Sequence, residues 1–530
     1  MKTMKYISVL AAIALLTACS KDFLDRDYKN QPTPDRYWKD AKDAEQTITT
    51  CYAPIKFNGM YGVTMQYIYH AMDPYVKNEG GDYLKYQSKI FFSDDNRVAS
   101  IYRTLYSGVN RCNLALEKIP EISMDEQLKN RCLGEAHFLR ALYNYYLTTL
   151  FYQPPLIKKF LEKFEDYNSA TNAPQDTIFA FIIDDLTTAI DLLPMNSEYS
   201  AAEMGRATKG AAYALLGKSY MWQHNWQLAS DAFKKIIDQE VGSYELIQPK
   251  SPMDSLDYVY AYLCNFSMRD LVNGSNVYPS ENNRESIFEI QNAETQFDQW
   301  QESLDGYGTD GSLYTSYFSL YGWNNIGADT TFLNSFEAPK PETNLSHDPR
   351  LYASAYSGDT IRCWNDISDV KKLCGKVAQP TGRIPGSMPI KKYMFPVYCG
   401  TNENKSMDPN NWRLIRYSDV LLLYAEARHH LGDDAEAFLK LNEVRSRAGM
   451  PDASGDFKTA LLKERKFEFC FETSLFSDLV RLHMIENSGS RFIDIHSYIP
   501  NFVIGKHEYL PIPRIEIDYM NGTLVQNQNW

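Results

Sequence analysis

The chain has 530 residues, 44% hydrophobic and 23% charged, so it is too long for one compact core and apolar enough to exclude disorder. Its formal charge is −13, from 54 basic and 67 acidic residues, and an acidic surface repels phosphate backbones, which excludes nucleic acid as a favoured partner. Aromatic residues make up 14%, and 38 of them are tyrosines, a side chain that stays hydrogen-bonded to water when half buried.

Lys2 and Lys5 open the chain, and Ile7 to Leu16 is an apolar run too short to cross a bilayer. That is the shape of a secretory signal, expected over residues 1–18. The run closes on Leu16-Thr17-Ala18-Cys19, which resembles the lipobox of bacterial lipoproteins and makes Cys19 the expected acylation site. Loss of the two leader lysines takes the charge from −13 to −15. Several acyl chains on one cysteine hold a protein at a membrane, whereas a single chain is marginal. No later stretch reaches the roughly 18 apolar residues of a spanning helix. Residues 20–35, with Gln31-Pro32-Thr33-Pro34, read as a tether to the folded body.

Ser123 and Glu126 have the spacing of a capping box and predict a helix from there to about Phe151, stopped by Pro154 and Pro155. A second helix is expected after Pro174, with Ile178, Ile182, Leu186, Ala189 and Leu193 on one face and Pro194 at its end. From Arg206 to Asp238 the pattern is that of a tetratricopeptide (TPR) helix pair, carried by Tyr213, Leu216, Gly217, Tyr220, Ala229, Phe233 and Ile236. Leu421, Tyr424, Ala425, Gly432, Ala437, Leu441 and Val444 repeat it about two hundred residues later. The small Gly217 and Ala229 let two helices approach while aromatic rings fill the space around them. The fold class predicted is therefore mainly α, a TPR-like helix-pair scaffold forming an α-α superhelix, with a loop-rich, ligand-facing region. Eight cysteines follow Cys19, none with zinc spacing, and Cys363 with Cys374 is the preferred disulfide candidate.

Several motifs together resemble the SusD-like (RagB/SusD) family of outer-membrane nutrient-uptake lipoproteins. Residues 19–25 (CSKDFLD) are similar to the start of its mature chains, and residues 134–146 (GEAHFLRALYNYY) to its best-known helix. Residues 416–426 and 442–449 resemble its carboxy-terminal repeat, residues 463–468 and 476–481 the helices that follow, and 510–513 (LPIP) with 526–530 (QNQNW) its ending. His137 stands where many relatives carry Arg, and the likeness is weakest between about 240 and 410. The resemblance implies a signal over 1–18, a SusD-like N-terminal region with TPR-type pairs over 19–240, a ligand-facing insert over 241–410 and a C-terminal region over 411–530. It also implies a partner, a SusC-like TonB-dependent transporter, covered by the lipoprotein as by a lid. Glu135 with Arg140, and Glu426 with Arg416, are expected as ion pairs of the scaffold rather than catalytic groups.

Signatures of catalysis are missing: there is no GxSxG, HExxH or Walker loop, and Pro511 fills the second His position after His507-Glu508. Gly306 to Gly311 fits GxGxxG but lacks a preceding strand, so it reads as a loop. His429 and His430 are expected on the solvent face of a repeat helix. No enzyme activity, metal or cofactor is expected.

Sugars offer apolar C–H faces edged by hydroxyls, and their binders pair aromatic rings with Asn, Gln, Asp or Arg. Segment 295–325 has that composition, with Trp300, Tyr307 and Trp323 among polar residues. Tyr75 and Tyr83 lie in a second such stretch and Trp364 in a third. Against this, Tyr314, Tyr317, Phe318 and Tyr321 fall at helical spacing, which favours a buried face. The function expected is capture of oligosaccharide or polysaccharide at the cell surface, lipid-anchored in the outer membrane, with handover to the transporter. The alternative is a TPR-type interaction lid whose nutrient is a peptide or another non-glycan.

Overall fold

The computed structural model describes residues 37–78, 80, 82–163, 170–251, 254–267, 270–292, 312–318, 325–355, 384–393, 409–472, 475–487 and 490–530. Cys19, Trp300, Tyr307, Trp323, Trp364, the Gly306–Gly311 loop and the Cys363/Cys374 candidate pair lie outside them.

Helices form the frame. The N-terminal half contains α1 (Ala41–Tyr52), α2 (Thr64–Met72), strand β1 (Val76–Asn78), α3 (Asp82–Gln87), α4 (Asn96–Lys118), α5 (Glu126–Phe151), α6 (Gln175–Leu192), α7 (Lys209–Trp222) and α8 (Trp226–Ile237). The α5 helix ends at Phe151 as its sequence predicts, but Asp125 caps it, accepting from the Leu128 N–H at 2.9 Å. The Ser123/Glu126 box is therefore displaced by a carboxylate that also complements the helix dipole. On α6, Ile178, Ile182, Leu186 and Ala189 are all buried, and Leu193 follows them into the core. Gly217 is where α7 meets α8: a Cβ there would lie 2.4 Å from Cε1 of Phe233.

The middle of the chain, among its described residues, contains α9 (Ser255–Leu263), a hairpin of β2 (Leu271–Asn273) and β3 (Asn276–Tyr278), then β4 (Ser286–Ile290), α10 (Tyr314–Phe318), β5 (Ile326–Asp329), α11 (Thr330–Leu333), α12 (Pro349–Ser354) and β6 (Ser387–Met388). Tyr314 and Phe318 are fully buried, as their helical spacing predicts. Strands β1, β5 and β6 form a small antiparallel sheet in that order, with Val76 opposite Ala328 and Ala328 opposite Met388.

The chain returns through β7 (Trp412–Arg416), antiparallel to β4, into α13 (Tyr417–His430), α14 (Asp434–Arg447), α15 (Phe457–Glu468) and α16 (Leu475–Met484). The hairpin β8 (Glu486–Asn487) and β9 (Ser490–Arg491) and the short α17 (Arg514–Tyr519) complete it. Helices α4 to α8 pack successively, α8 packs on α13, and α13 on α14. The two TPR-like pairs are thus neighbours in space although the long middle segment separates them in sequence. Leu421, Ala425, Ala437, Leu441 and Val444 are completely buried at this seam.

The scaffold ion pairs are real, but with other partners than the sequence suggests. Glu135 accepts from Arg206 at 2.9 Å and faces Arg131, whereas Arg140 clasps Asp185 at 2.7 Å. Residues five apart point about 140° from each other around a helix, so Glu135 and Arg140 cannot meet. Glu426 pairs with Arg481 at 2.5 Å, and Arg416 reaches Glu285, Glu468 and Glu472 at 2.8 to 3.0 Å. Ten residues of helix separate Arg416 from Glu426 by about 15 Å. His430 is not on a solvent face either: α8 covers it, so its ring stacks on Trp226 at 4.1 Å and burial pushes its imidazole down to about 4. His429 caps the same edge, bonded to Asp434 and stacked on Phe457.

Candidate functional site

One end of the frame gathers the loops around β1, β5 and β6. Asp73 follows α2, and its Oδ1 accepts from the Tyr75 N–H at 2.8 Å, which turns the chain and fixes the Tyr75 backbone. Burial pushes the Asp73 carboxyl up to about 7 and the Lys89 ammonium down to about 7, each partly offset by the other's charge. The Tyr75 ring is half-buried and stacks on Phe332 of α11 with centroids 4.6 Å apart and planes 26° off parallel. Its orientation is therefore set from behind, while one side borders a groove of about 430 Å³.

That groove runs along α15. Lys458, Leu462 and Lys466 recur at helical spacing on its wall, with Lys463 beside them. Arg491 and Asp494 also line the groove, and Tyr498 supplies a second tyrosine ring. The Lys466 ammonium sits over the rings of Phe467, Tyr75 and Phe332, 4.5, 5.6 and 5.8 Å from their centroids. Burial, reinforced by the like charge of Lys463, holds its pKa below the ordinary lysine value. The arrangement presents apolar ring surface edged by hydrogen-bond donors, the two features a sugar needs.

Tyr83 has a different position. The Asp82–Gln87 helix turns Tyr83 and Tyr86 inward three residues apart, so Tyr83 is only 9% exposed rather than an open loop ring. It stacks on Tyr67 at 4.2 Å, its hydroxyl accepts from Asn325, and Tyr317 meets Tyr67 edge-on at 5.6 Å. The Arg97 guanidinium lies 4.7 Å over the same Tyr67 ring and is held by Asp82 at 2.9 Å. Tyr83 does not line the Tyr75 groove. It builds the floor from which α3 and its neighbours project Leu84, Ile90 and Phe92 outward.

Sequence reasoning passed over Lys458, Lys466, Arg491 and Tyr498. Of the α15 lysines only Lys463 and Lys466 fall in the family-like run 463–468, and the i, i+8 spacing of Lys458 and Lys466 is the signal that places them on a common face. A second concavity, about 110 Å³, lies inside the helical frame between Tyr61, Tyr69, Tyr145, Tyr146, Trp222 and Trp412. Among the described residues no group of His, Cys, Asp and Glu is arranged to hold a metal ion, and no helix is long and apolar enough to cross a membrane.

Residues 282–530 match the SusD family, and residues 22–221 match a family described as starch-binding and associating with the outer membrane. The chain belongs to the SusD-like family. SusD-like protein P25 of Formosa agariphila is 24% identical over 99% of this chain and 98% of its own length. A SusD-like protein of Bacteroides ovatus is 24% identical over 89% of this chain and 81% of its own. Among solved structures, a laminarin-binding SusD-like protein superimposes with a TM-score of 0.70 at 24% identity, covering 93% of this chain and 100% of that one. Surface glycan-binding protein A from Bacteroides thetaiotaomicron, in complex with laminarihexaose, gives 0.69 at 20% identity, covering 92% and 100%. This SusD-like chain therefore has the fold of its family over its described residues, with TPR-like pairs as its frame.

Proposed function

We propose that this SusD-like protein captures oligosaccharide at the cell surface, anchored through acylated Cys19, and passes it to a SusC-like TonB-dependent outer-membrane transporter. The observation that carries the reading is the Tyr75 ring, backed flat by Phe332 and bordering an open groove with polar walls. A ring held in place before the ligand arrives costs little conformational entropy when a sugar stacks on it. Relatives of the same fold whose names state laminarin binding, or a complex with laminarihexaose, support a saccharide as the ligand. Trp300, Tyr307, Trp323 and Trp364 belong to the same proposal on composition alone, as further rings for stacking on sugar.

Affinity electrophoresis of the mature chain through gels containing a panel of polysaccharides tests this. At least one glycan retards the protein, and Tyr75→Ala weakens that binding by about threefold to tenfold, the worth of one stacked ring. A chain that passes every gel unretarded, yet takes a peptide and co-purifies with the transporter, replaces glycan capture with the interaction-lid reading.

A further inference from the structure

The charges along the Tyr75 groove are unlike those of the rest of the chain. The protein as a whole is −13, whereas the groove is lined by Lys458, Lys463, Lys466 and Arg491 against one carboxylate, that of Asp494. The nearby acids are already committed. Asp494 caps the turn after β9, accepting from the His496 N–H and the Ser497 hydroxyl, and it faces the His496 ring at 3.4 Å. Asp456 caps α15 through Thr459, Glu337 is shared by Lys463 and Arg445, and Glu486 lies 3.4 Å from Arg491. Among the described residues neither Lys458 nor Lys466 forms an ion pair in direct contact with a carboxylate; Asp456 and Glu337 act on them only at longer range. Lys458 lies 5.4 Å from the Phe492 centroid, and the hydrogen bond Lys466 makes is to the Ser335 hydroxyl at 3.3 Å.

We infer that this groove takes an anionic saccharide, one bearing a carboxylate or a sulfate ester, with its ring on Tyr75 and its charge on Lys458, Lys466 and Arg491. A neutral sugar would leave the Lys466 ammonium half-buried, beside Lys463 and with only the more distant charge of Glu337 to balance it. An anion there forms charge-assisted hydrogen bonds with it, which are roughly twice as strong as neutral ones. The acidic remainder of the surface repels a polyanion, so attraction is confined to this groove rather than spread over the molecule. The rings of Tyr75 and Tyr498 keep the selectivity for a sugar, since a bare anion gains nothing from stacking. This specifies the ligand class of the capture site and rests on the glycan-capture reading.

The test uses the whole mature chain and four probes: polygalacturonate and a sulfated galactan as the charged pair, laminarin and a neutral mannan as controls. Retardation by either charged polymer and by neither control is the expected result, and the member of the charged pair that binds separates carboxylate from sulfate. Binding weakens as salt rises from about 0.05 to 0.3 M. It falls by about tenfold or more in Lys458→Gln/Lys466→Gln, and also in Arg491→Gln, while melting temperatures stay unchanged. Binding of neutral polymers alone overturns the inference but leaves glycan capture standing. Unaltered binding of the charged polymer by both variants overturns the assignment to this groove. Failure of all four probes and of a wider glycan array removes both readings together.

Discussion

Arg350, Arg416 and Arg447 are buried to the last few percent and answered at several points each: Arg350 by Asp348, Glu464 and Glu468, Arg416 and Arg447 by Glu285 and Glu468 in common. Burying such charges costs solvation that only near-complete pairing offsets. Buried titratable groups without a counter-charge behave differently, and His70 is the clearest case. It lies inside the aromatic floor of the loop face, stacked on Phe318 at 4.7 Å, with Nδ1 2.9 Å from the Gln66 carbonyl and Nε2 3.2 Å from the Tyr314 hydroxyl. Burial lowers its pKa to about 4, and the charge of Lys392 acts in the same direction. An unfolded histidine titrates near 6.5, so between those values the unfolded chain holds the extra proton and stability rises with pH. The contribution is complete above pH of about 6.5 and is lost as pH falls toward 4, by about 3 kcal/mol. Urea unfolding of His70→Asn is expected to show a stability difference between pH 7 and pH 4.5 smaller by about 2 kcal/mol than wild type. An unchanged difference would place the acid sensitivity elsewhere.

At the scale of the element, the two TPR-like pairs solve one packing problem in two ways. Gly217 and Phe233 in the first pair correspond, at a constant offset, to Ala425 and Leu441 in the second, and all but the glycine's missing side chain is fully buried. A large ring needs a residue with no Cβ opposite it, whereas a smaller branched chain admits a methyl group. Gly217→Ala alone gains about 1 kcal/mol of helix propensity but drives a methyl to 2.4 Å from the Phe233 ring. Overpacking of this kind costs about 1–3 kcal/mol. The double variant Gly217→Ala/Phe233→Leu installs the second pair's solution in the first, and its stability is expected to exceed the sum of the single changes by at least about 1 kcal/mol. Additive denaturation midpoints would show that the two side chains do not share a space. These pairs were legible in the sequence because their small and large residues recur at the helical period, and so was α6. The ion pairs were not, because proximity in sequence is a poor guide across a helix: Glu135 finds Arg206, 71 positions on, and Arg416 finds Glu285, 131 positions back. The candidate site was half legible. Tyr75 shows as an aromatic residue in a polar stretch, but α15 supplies the facing wall from far along the chain, and nothing periodic links the two. Tyr83 misled for a related reason, since a six-residue helix is too short to declare its inward face.

For the whole molecule, the contact of α8 with α13 makes the frame continuous, although the middle of the chain separates the two helices in sequence. The proposed binding groove is lined by Tyr75, α15 and the stretch from Arg491 to Tyr498, whereas the proposed anchor, Cys19, precedes the first described helix. Anchoring and capture are then separable. Acyl chains act through their number, each methylene adding about 0.8 kcal/mol of membrane affinity, and a serine at the same position can carry none of the thioether-linked lipid. Cys19→Ser is therefore expected to move the protein from the membrane fraction to the soluble fraction of the cell envelope. Its polysaccharide retardation should equal that of the mature wild-type chain, because no described residue of the groove depends on the anchor. Growth on the captured glycan should fall all the same, since a free binding protein competes with the transporter for sugar instead of presenting it. Retention of the variant at the membrane would remove Cys19 as the anchor. Loss of glycan binding by the released protein would show that the leader-proximal segment takes part in the site, contrary to the separation argued from the frame.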